Sequence, residues 1–480
     1  MCIYARDAAQ KEKVARKSYF LTFLIFNGNF IWYRTLFKLT FEASRMKNSF
    51  PPVQSNPEAY EERANWPPYT YRDYPNIEPK TYKSFMEFLN TENTSGRLME
   101  LQPWISVCDS RCAFCYFPTT ATSKVQIEPY LELLKKELAI YAKTKYVKTS
   151  VFDEIVLGGG TPSVLSAEQM IDLIDYCKAS FNTNKEYFIK VTGSSKTLAL
   201  KKIDKLAAYG VYQMDMGAQT FDDRLRKLMC LPDSAADVER AIRHARKLGL
   251  CVCVDLMYNF PTQTIESWIA TLKKAIELDV EIDCYSLHVD PGTPLEKMIR
   301  KGVVPLPGDA EVEKEMYVAA YKLLTDAGYK AVGHDRFSRV EWHMHENCLN
   351  GWPWGGILTT GAGCFMGYLQ RFSYSNVEDI HEYMEIVKSG KLPIQRLSES
   401  SNDDMMRREM SRLYLRLAVS KAEFMEKFGK RPEDVFPKQI RNLKAKGLID
   451  VDAKEVRLTK RGELWKGNIA WEFAPKPSTA

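Results

Sequence analysis

The sequence contains no hydrophobic run long enough to cross a bilayer. The longest candidate, Tyr19–Tyr33, has about fifteen residues and is interrupted by Asn27, Gly28 and Asn29, whereas a spanning helix needs about 20 apolar residues. No small-residue cleavage site follows this run, as a secretory signal peptide would require. We therefore expect a cytoplasmic protein without a transmembrane span.

Excess positive charge is missing from most of the chain. The net charge is +6, and residues 1–47 alone hold nine Lys and Arg side chains against three Asp and Glu. The remainder is therefore neutral, which makes it a poor binder of nucleic-acid phosphates. The basic segment is interpreted as an interfacial anchor, an ordinary extension, or translated sequence upstream of a start at Met46; we favour the last two.

Paired cysteine spacing is also missing. The chain has 11 cysteines, an odd number, and most are scattered through apolar runs. This distribution argues against a disulfide framework and favours a reducing compartment. Eight of them are expected to be small core residues. These eight are Cys2, Cys177, Cys230, Cys251, Cys253, Cys284, Cys348 and Cys364.

The three remaining cysteines lie close together, and no fourth ligand accompanies them. Cys108, Cys112 and Cys115 have the spacing C-x3-C-x2-C, and histidine is absent between Met1 and Ile242. A structural zinc site normally has four protein ligands. A [4Fe–4S] cluster held by three thiolates instead keeps one iron free for another ligand. The spacing therefore favours such a cluster over zinc, with a redox pair or a chance spacing as alternatives.

Strand-like and helix-like patterns alternate regularly after residue 98. Six strands linked by helices predict a parallel sheet curved into a partial (β/α)6 barrel. Polar, Gly-containing segments follow the strands, at the ends where parallel barrels carry their active sites. The predicted strands are Met99–Val107, Phe152–Leu157, Tyr187–Thr192, Val211–Met216, Cys251–Tyr258 and Asp283–Val289. The predicted helices are Glu128–Lys145, Ala167–Ser180, Leu198–Ala208, Ala235–Lys247 and Ile265–Leu278.

The C-terminal part has a different pattern, which looks like a winged helix. Because the body of the chain lacks positive charge, we expect a lid or docking domain rather than a DNA reader. Its predicted helices are Asp403–Ala418, Lys421–Phe428 and Pro432–Lys446, followed by a hairpin of Leu448–Asp452 with Glu455–Thr459. The predicted domains are a basic extension (1–47), a lead-in arm (48–98), the barrel (99–300), a barrel extension with substrate-side loops (301–398) and the winged-helix-like domain (399–480).

Three motifs near the predicted strand ends are candidate ligand contacts. The glycines of GGGTP, which starts at Gly158, let the backbone approach a ligand closely, although such a segment can also be a tight turn. Gln219 and Asp255 are expected at successive strand ends, where a carboxylate can accept both hydroxyls of a ribose. Structural capping is the alternative, since an unpaired Asp is rarely buried in a core strand.

The cysteine motif resembles that of the radical S-adenosylmethionine (SAM) superfamily. The ordered motifs CxxxCxFCxF, GGGTP, GxQxFxxxL, DLxYxxPxQT and SLxVxPGTPL resemble the family of oxygen-independent coproporphyrinogen III oxidase and its relatives, over about Met99–Trp471. The relatives include a haem chaperone and radical SAM methyltransferases. The resemblance implies a partial (β/α)6 radical SAM barrel with a C-terminal winged-helix-like α+β domain.

The resemblance also implies roles for individual residues. Cys108, Cys112 and Cys115 would hold the [4Fe–4S] cluster, and one or two molecules of SAM would bind. Phe114 occupies the position of an aromatic ring that packs on the adenine. The residues implied to contact SAM are Phe114, Gly159, Gly160, Thr161, Gln219 and Asp255.

Five positions depart from the family pattern. Gln102 and Trp104 replace a Tyr and a His, and Phe117 replaces a further Cys of the oxidase. Thr192 replaces a Glu after the third strand, and Leu231 replaces an Arg. These losses speak against porphyrinogen decarboxylation.

The sequence therefore predicts a radical SAM enzyme. We expect radical methyl or methylene transfer to an sp2 carbon of a planar substrate, such as a tetrapyrrole, quinone or natural-product ring. An electron donor such as flavodoxin or ferredoxin is required, and no catalytic side chain is assigned. The alternatives are a haem carrier, since His345, Asn347 and Trp352 loosely match a haem-binding element, an oxidase-like oxidoreductase, and RNA modification.

Overall fold

The computed structural model covers the barrel and the C-terminal domain. The described residues are 59–64, 78–333, 335–339 and 356–474. They belong to one compact unit of the chain, and none of their helices is long and apolar enough to cross a membrane. The predicted extension at 1–47 lies outside the described residues, as do His345, Asn347 and Trp352.

The described residues contain 17 strands, many more than the six that the sequence predicts. In chain order they are Leu98–Ile105 (β1), Val107–Cys108 (β2), Thr120–Ala121 (β3), Val151–Gly159 (β4), Thr183–Gly193 (β5), Gln213–Gln219 (β6), Cys251–Tyr258 (β7), Glu281–Ser286 (β8), Lys330–Gly333 (β9), Arg336–Ser338 (β10), Gly356–Thr360 (β11), Gly367–Leu369 (β12), Phe372–Asn376 (β13), Ile394–Glu399 (β14), Ala418–Ser420 (β15), Ile449–Val451 (β16) and Glu455–Leu458 (β17).

Four helices begin and end at the predicted residues, namely Ala167–Ser180, Ala235–Lys247, Ile265–Leu278 and Lys421–Phe428. Two of them start with a capping box. Ser166 and Ser234 accept from the backbone of the third helical residue and are capped in return, which stabilises a helix start. In chain order the helices are Pro79–Leu89 (α1), Ile127–Ala142 (α2), Lys145–Lys148 (α3), Ala167–Ser180 (α4), Leu200–Tyr209 (α5), Asp223–Leu228 (α6), Ala235–Lys247 (α7), Ile265–Leu278 (α8), Pro294–Arg300 (α9), Ala310–Asp326 (α10), Ile380–Lys388 (α11), Asn402–Met410 (α12), Arg412–Arg416 (α13), Lys421–Phe428 (α14), Pro432–Val435 (α15), Pro437–Ala445 (α16), Lys460–Leu464 (α17) and Lys466–Trp471 (α18).

Six parallel strands lie side by side in chain order, from β1 through β4, β5, β6 and β7 to β8. This order confirms the α/β class and the partial (β/α)6 barrel. The sheet continues at both edges, in ways that the periodicity did not predict. β11 adds a parallel strand beside β1 and leads to antiparallel β12, β13 and β14, while β10 and β9 extend the sheet beyond β8.

Alternation along β1 separates an apolar face from a polar one. Met99, Leu101 and Ile105 are fully buried in the main hydrophobic core with the surrounding helices. Successive side chains of a strand point to opposite faces. Gln102 and Trp104 therefore lie on the other face, toward the interior of the barrel.

Ion pairs fill part of that interior. Lys190 of β5 lies 3.3 Å from Glu154 of β4, and Arg336 of β10 binds Asp283 of β8 through two contacts of 2.8 Å. Buried charges are stable when they are paired in this way. The barrel interior is consequently polar and suited to a charged ligand.

The C-terminal residues form helices around a three-stranded sheet, in the order β15, β17, β16. This agrees with the winged-helix-like pattern, but two predicted helices are wrong in extent. The predicted helix Asp403–Ala418 is in fact two helices, α12 and α13, and the second of them ends at Arg416. Ala418 is instead the first residue of strand β15. The predicted Pro432–Lys446 breaks at Phe436 because Pro437 follows, and the residue before a proline disfavours the helical conformation.

Arg63, in the predicted lead-in arm, joins the barrel to the C-terminal domain. Its guanidinium donates to Glu313 at 2.7 Å, to the Tyr258 hydroxyl at 3.1 Å and to the Leu464 carbonyl at 3.1 Å. It also lies 3.4 Å from the centre of the Tyr317 ring. The side chain is only 4% exposed, so these contacts are made away from water.

We expect Arg63→Ala to lower the free energy of unfolding by about 3–5 kcal/mol, because it leaves the charge of Glu313 buried without its cation. Urea unfolding of the purified protein measures this effect. Lys83→Ala is the control, since Lys83 forms an exposed pair with Glu87 at 3.9 Å and should cost less than about 1 kcal/mol. Equal losses in both variants would contradict the role given to Arg63.

Candidate active site

The three cysteines lie on one loop that leaves β1 at the carboxyl end of the sheet. The short strands β2 and β3 pair across the base of this loop. The Ala113 N–H donates to the Met229 carbonyl, and the Leu295 N–H donates to the Ala113 carbonyl, both at 2.8 Å. Ala113 and Leu295 also share an apolar cluster beneath the loop. The loop is thereby fixed by segments that follow β6 and β8.

The thiols of this loop interact with one another. Burial, together with the nearby Cys115 and Cys108 thiols, raises the pKa of Cys112 to about 12. Burial likewise raises the pKa of Cys108 and of Cys115. The thiolate forms therefore need a positively charged partner, which an iron–sulfur cluster supplies.

The chemistry of the donor set bears on which metal group it fits. The loop supplies three thiols, those of Cys108, Cys112 and Cys115. A structural zinc site normally has four protein ligands, whereas three thiolates hold a [4Fe–4S] cluster and keep one iron free for another ligand. The three cysteines therefore fit the cluster.

The GGGTP segment at the end of β4 lies directly against the cysteine loop. The Thr161 hydroxyl donates to the sulfur of Cys108 at 3.3 Å. The Gly160 N–H donates to Ile105 and the Thr161 N–H to Val107, at 2.8 and 3.0 Å. Since these donors are engaged, the carbonyl oxygens of the segment, such as that of Gly160, are the groups suited to accept from an ammonium.

Gly160 leaves no space for a side chain. A Cβ atom there would lie 2.8 Å from the Cys108 sulfur and 2.9 Å from the Val107 carbonyl oxygen. Such distances are far inside van der Waals contact, so any other residue would displace the first cysteine. Gly160 and Thr161 thus lie directly against Cys108, while a Cβ at Gly159 would meet the backbone of Ile105.

Phe114 lies on the side of the loop that faces the apolar cluster. Its ring centre is 6.0 Å from that of Phe260, and both rings pack with Leu225 and Leu287. An apolar surface next to the cysteines is suited to one face of a flat base.

Gln219 and Asp255 occupy neighbouring strands, but only Gln219 ends one. Gln219 closes β6 with a φ of 62° and pairs in register with Leu256. Asp255 lies inside β7, three residues before its end at Tyr258, so its predicted place at a strand end is wrong. The strand runs on past Asp255 because β8 continues to pair with it up to Ser286.

The surroundings of Asp255 favour its neutral form. Burial raises the pKa of Asp255 well above its usual range, and the charges of Asp283 and Asp215 raise it further, while Arg336 opposes them. Asp283 lies directly opposite Asp255 on the next strand. The protonated form of this side chain, which can donate as well as accept, is favoured more than for an exposed aspartate.

Arg226 is a buried residue near the site that sequence reasoning missed. It is 2% exposed, forms an ion pair with Asp233 and donates to the carbonyls of Ala218 and Thr220 at 2.6 and 2.9 Å. The charges of Arg226 and Asp233 both act on Cys112. No motif identifies this residue; the helical pattern of α6 gives only a weak indication, because an arginine occupies its inward face.

Glu137 of α2 is a second residue that sequence reasoning missed. It binds the turn Gly361–Cys364 after β11, which we name the GAGC turn. Its carboxylate accepts from the Gly361 N–H at 2.8 Å, the Tyr383 hydroxyl at 2.7 Å and the Asn376 amide at 2.7 Å. Burial raises the pKa of Glu137 to about 7, although these three donors lower it. The turn in question packs on the backbone of Trp104, since a Cβ at Gly361 would lie 2.3 Å from the Trp104 carbonyl oxygen.

The folded pKa of Glu137 lies above its ordinary value of 4.5. Stability linked to this group is therefore fully present below about pH 4.5 and is lost as the pH rises through about 7. We expect a loss of about 2 kcal/mol between pH 5.5 and 8 in the wild type, and a flatter pH dependence in Glu137→Gln. Urea unfolding between pH 5.5 and 8 measures both curves, and parallel curves would contradict the assignment.

Comparisons with known proteins agree with this geometry. The family profile described as "Radical SAM superfamily" matches residues 103–275, and "HemN C-terminal domain" matches residues 400–465. The fold is similar to that in "Coproporphyrinogen III oxidase (HemN) from Escherichia coli is a Radical SAM enzyme", with a TM-score of 0.72 and 22% identity over 87% of this chain and 95% of that one.

Curated relatives match over most of their length. "Heme chaperone HemW" of Bacillus subtilis is 28% identical over 77% of this chain and 97% of its own length. "Anaerobilin synthase" of Escherichia coli O157:H7 is 24% identical over 81% and 86%, and "Oxygen-independent coproporphyrinogen III oxidase" of Escherichia coli K12 is 24% identical over 78% and 85%. The cysteine loop, the glycine segment and the C-terminal domain all fall within the matched regions. Residues 103–275 therefore match the radical SAM superfamily and residues 400–465 the HemN C-terminal domain, and the chain is similar to oxygen-independent coproporphyrinogen III oxidase and its relatives.

Proposed function

We propose that this chain binds a [4Fe–4S] cluster through Cys108, Cys112 and Cys115 and cleaves SAM reductively to act on a planar substrate. The observation that carries the proposal is the contact between the two motifs, in which the Thr161 hydroxyl donates to the Cys108 sulfur at 3.3 Å. It places the glycine segment against the thiols at the carboxyl ends of parallel strands. Radical SAM chemistry needs a SAM site next to a cluster held by three thiolates.

The residues of the site have distinct tasks in this proposal. When bound, the cluster and SAM supply a 5′-deoxyadenosyl radical, which is the chemistry that no side chain provides. The carbonyls of Gly159 and Gly160 would accept from the methionyl ammonium, and the Phe114 ring would cover the adenine. Gln219 and Asp255 would bind the ribose hydroxyls, and the apolar cluster below Phe114 would exclude water.

The substrate class that we propose is a tetrapyrrole. Relatives named for haem, anaerobilin and coproporphyrinogen support it, whereas a quinone or natural-product ring rests on planarity alone. No contact within the described residues supports methyl or methylene transfer, so that reaction stays a prediction. A flavodoxin or ferredoxin would supply the electron, and a reducing cytoplasm would protect the cluster.

Anaerobic reconstitution with reductant and SAM tests the proposal, with 5′-deoxyadenosine and S-adenosylhomocysteine as the products measured. Both products would support methyl transfer. The first product alone would support oxidation or another rearrangement. The absence of 5′-deoxyadenosine would contradict an enzyme of this class.

A haem carrier is the second candidate, favoured by the match to nearly the full length of "Heme chaperone HemW". A carrier would bind haem in a one-to-one ratio and form no 5′-deoxyadenosine from SAM. Haem titration in parallel with the product assay separates the two candidates.

A further inference from the structure

Four aromatic rings form a group beside the cysteine loop, on the side away from Phe114. We name Trp104, Tyr116, Phe117 and Phe365 the rim cluster. The ring centres of Trp104 and Phe365 are 5.1 Å apart, those of Phe117 and Phe365 5.1 Å, and those of Tyr116 and Phe117 4.9 Å. These are the separations at which aromatic rings attract one another edge to face.

The rim cluster is in direct contact with the proposed cofactor site. Trp104 lies opposite Gly158 in the register of β1 and β4. Phe117 follows Cys115 by two residues. A substrate on these rings would thus lie beside both the cysteines and the glycine segment.

Two loops from distant parts of the chain hold the rim cluster together. The Ser106 hydroxyl donates to the Ala362 carbonyl. A Cβ at Gly363, where φ is 62°, would lie 2.6 Å from the Pro118 ring. The GAGC turn, and Phe365 after it, are thereby pressed against the end of the cysteine loop, so the rings are held in place before a ligand arrives.

The two aromatic groups around the cysteine loop are separate. Phe114 and Phe260 belong to the apolar cluster under α6 and α9, and no member of the rim cluster does. The proposed function uses the Phe114 side for the adenine. It assigns no role to the rim cluster.

The rim cluster combines partly exposed rings with polar atoms that lack a partner. Tyr116, Phe117 and Phe365 are partly exposed. Trp104 is 3% exposed and Gln102 is 7% exposed. Within the part of the chain that the structure describes, neither the Trp104 Nε1–H nor the Gln102 Oε1 has a hydrogen-bond partner. Burying such groups unpaired costs free energy, and a ligand that pairs with them recovers it.

We propose that the rim cluster is one wall of the substrate pocket, and that it takes a flat conjugated ring bearing an oxygen acceptor for the Trp104 indole N–H. The inference rests on the proposed function, because it assigns the substrate of that same site. Gln102 supplies an acceptor for a donor group on the same ligand. Trp104, Gln102 and Phe117 are three of the positions that depart from the family pattern, so this wall differs from that of the oxidase.

Probe binding to the anaerobically reconstituted protein tests the wall. Protoporphyrin IX and menadione are the two probes, since one carries carboxylates and the other quinone carbonyls. Phe117→Leu keeps the apolar volume but removes a ring, and Trp104→Phe keeps a ring but removes the N–H. We expect each variant to raise the dissociation constant of a bound probe about three- to tenfold.

Phe188→Leu is the matched control, because Phe188 is also a partly exposed ring that packs on another ring. Its centre lies 5.2 Å from that of Tyr212, and it stands in β5, two residues before the ion-paired Lys190. Its probe affinity should stay within about twofold of the wild type. If Phe117→Leu loads less cluster, Trp104→Phe decides the result.

The outcomes separate the pocket from the chemistry. Wild-type protein that forms 5′-deoxyadenosine but binds neither probe would overturn the wall alone. Unchanged affinity in Phe117→Leu and Trp104→Phe, or an equal loss in Phe188→Leu, would also overturn it. Wild-type protein that forms no 5′-deoxyadenosine contradicts the proposed function, whereas ring-dependent probe binding by that protein would still support the pocket.

Discussion

Replacing Cys108, Cys112 and Cys115 together by alanine is expected to reduce bound iron and acid-labile sulfide to background and to abolish formation of 5′-deoxyadenosine. The reason is that the three thiols are the only side chains of the loop that can bind iron as thiolates. Burial raises the pKa of all three thiols when no cation is present, so cluster and thiolates form together. Iron and sulfide analysis after anaerobic reconstitution provides the measurement.

Cys230→Ala is the control for the triple variant. Cys230 was expected in the core, but that prediction is wrong, because the residue follows the end of α6 at Leu228 and is an exposed free thiol. It lies next to Met229, whose carbonyl accepts from the loop, yet it belongs to no motif. The Cys230→Ala variant should retain a full cluster. A triple variant that keeps as much sulfide as this control would show that other residues hold the iron.

Gly160→Ala is expected to have the second largest effect, a loss of most of the bound cluster. The added Cβ would meet the Cys108 sulfur at 2.8 Å and the Val107 carbonyl oxygen at 2.9 Å. One of them is a ligand atom and the other is backbone, so neither can yield without moving the first cysteine. Because a metal site tolerates little displacement of its ligands, we expect sulfide content to fall at least severalfold.

Gly158→Ala, two residues earlier in the same segment, is the matched control. Its added Cβ would lie 3.4 Å from the Gln102 amide nitrogen, which is an ordinary contact with a flexible side chain. This variant should keep its cluster. If the two alanine variants lost sulfide equally, the effect would belong to the segment as a whole and not to the contact with Cys108.

The elements that the sequence predicts well are those set by local interactions. The starts of the helices at Ala167 and Ala235 follow from serine capping boxes, which are complete within four residues. The parallel barrel follows from the alternation of strands and helices. The breaks at Phe436 and before Ala418 were missed, although Pro437 marks the first of them.

Contacts between distant segments were beyond sequence reasoning. β11 pairs with β1 across about 250 residues, and Arg63 binds Glu313 over a separation of 250. No periodicity encodes such pairs, since they depend on how the whole chain folds. The same is true of Glu137 and its donors.

The candidate site shows the same division. The contact of Thr161 with Cys108 was predictable, because both follow adjacent strands of a parallel sheet. The raised pKa of Asp255 was not, since it depends on burial and on Asp283 and Asp215 from other strands. The rim cluster depends likewise on Phe365, which reaches Trp104 only through the GAGC turn.

Electron paramagnetic resonance of the reduced protein, with and without SAM, tests most directly whether one iron is left for SAM. The account predicts about four iron and four sulfide per chain and a signal that changes when SAM is added. A complete cluster whose signal SAM leaves unaltered would mean that the protein ligates every iron. That result would contradict the central claim.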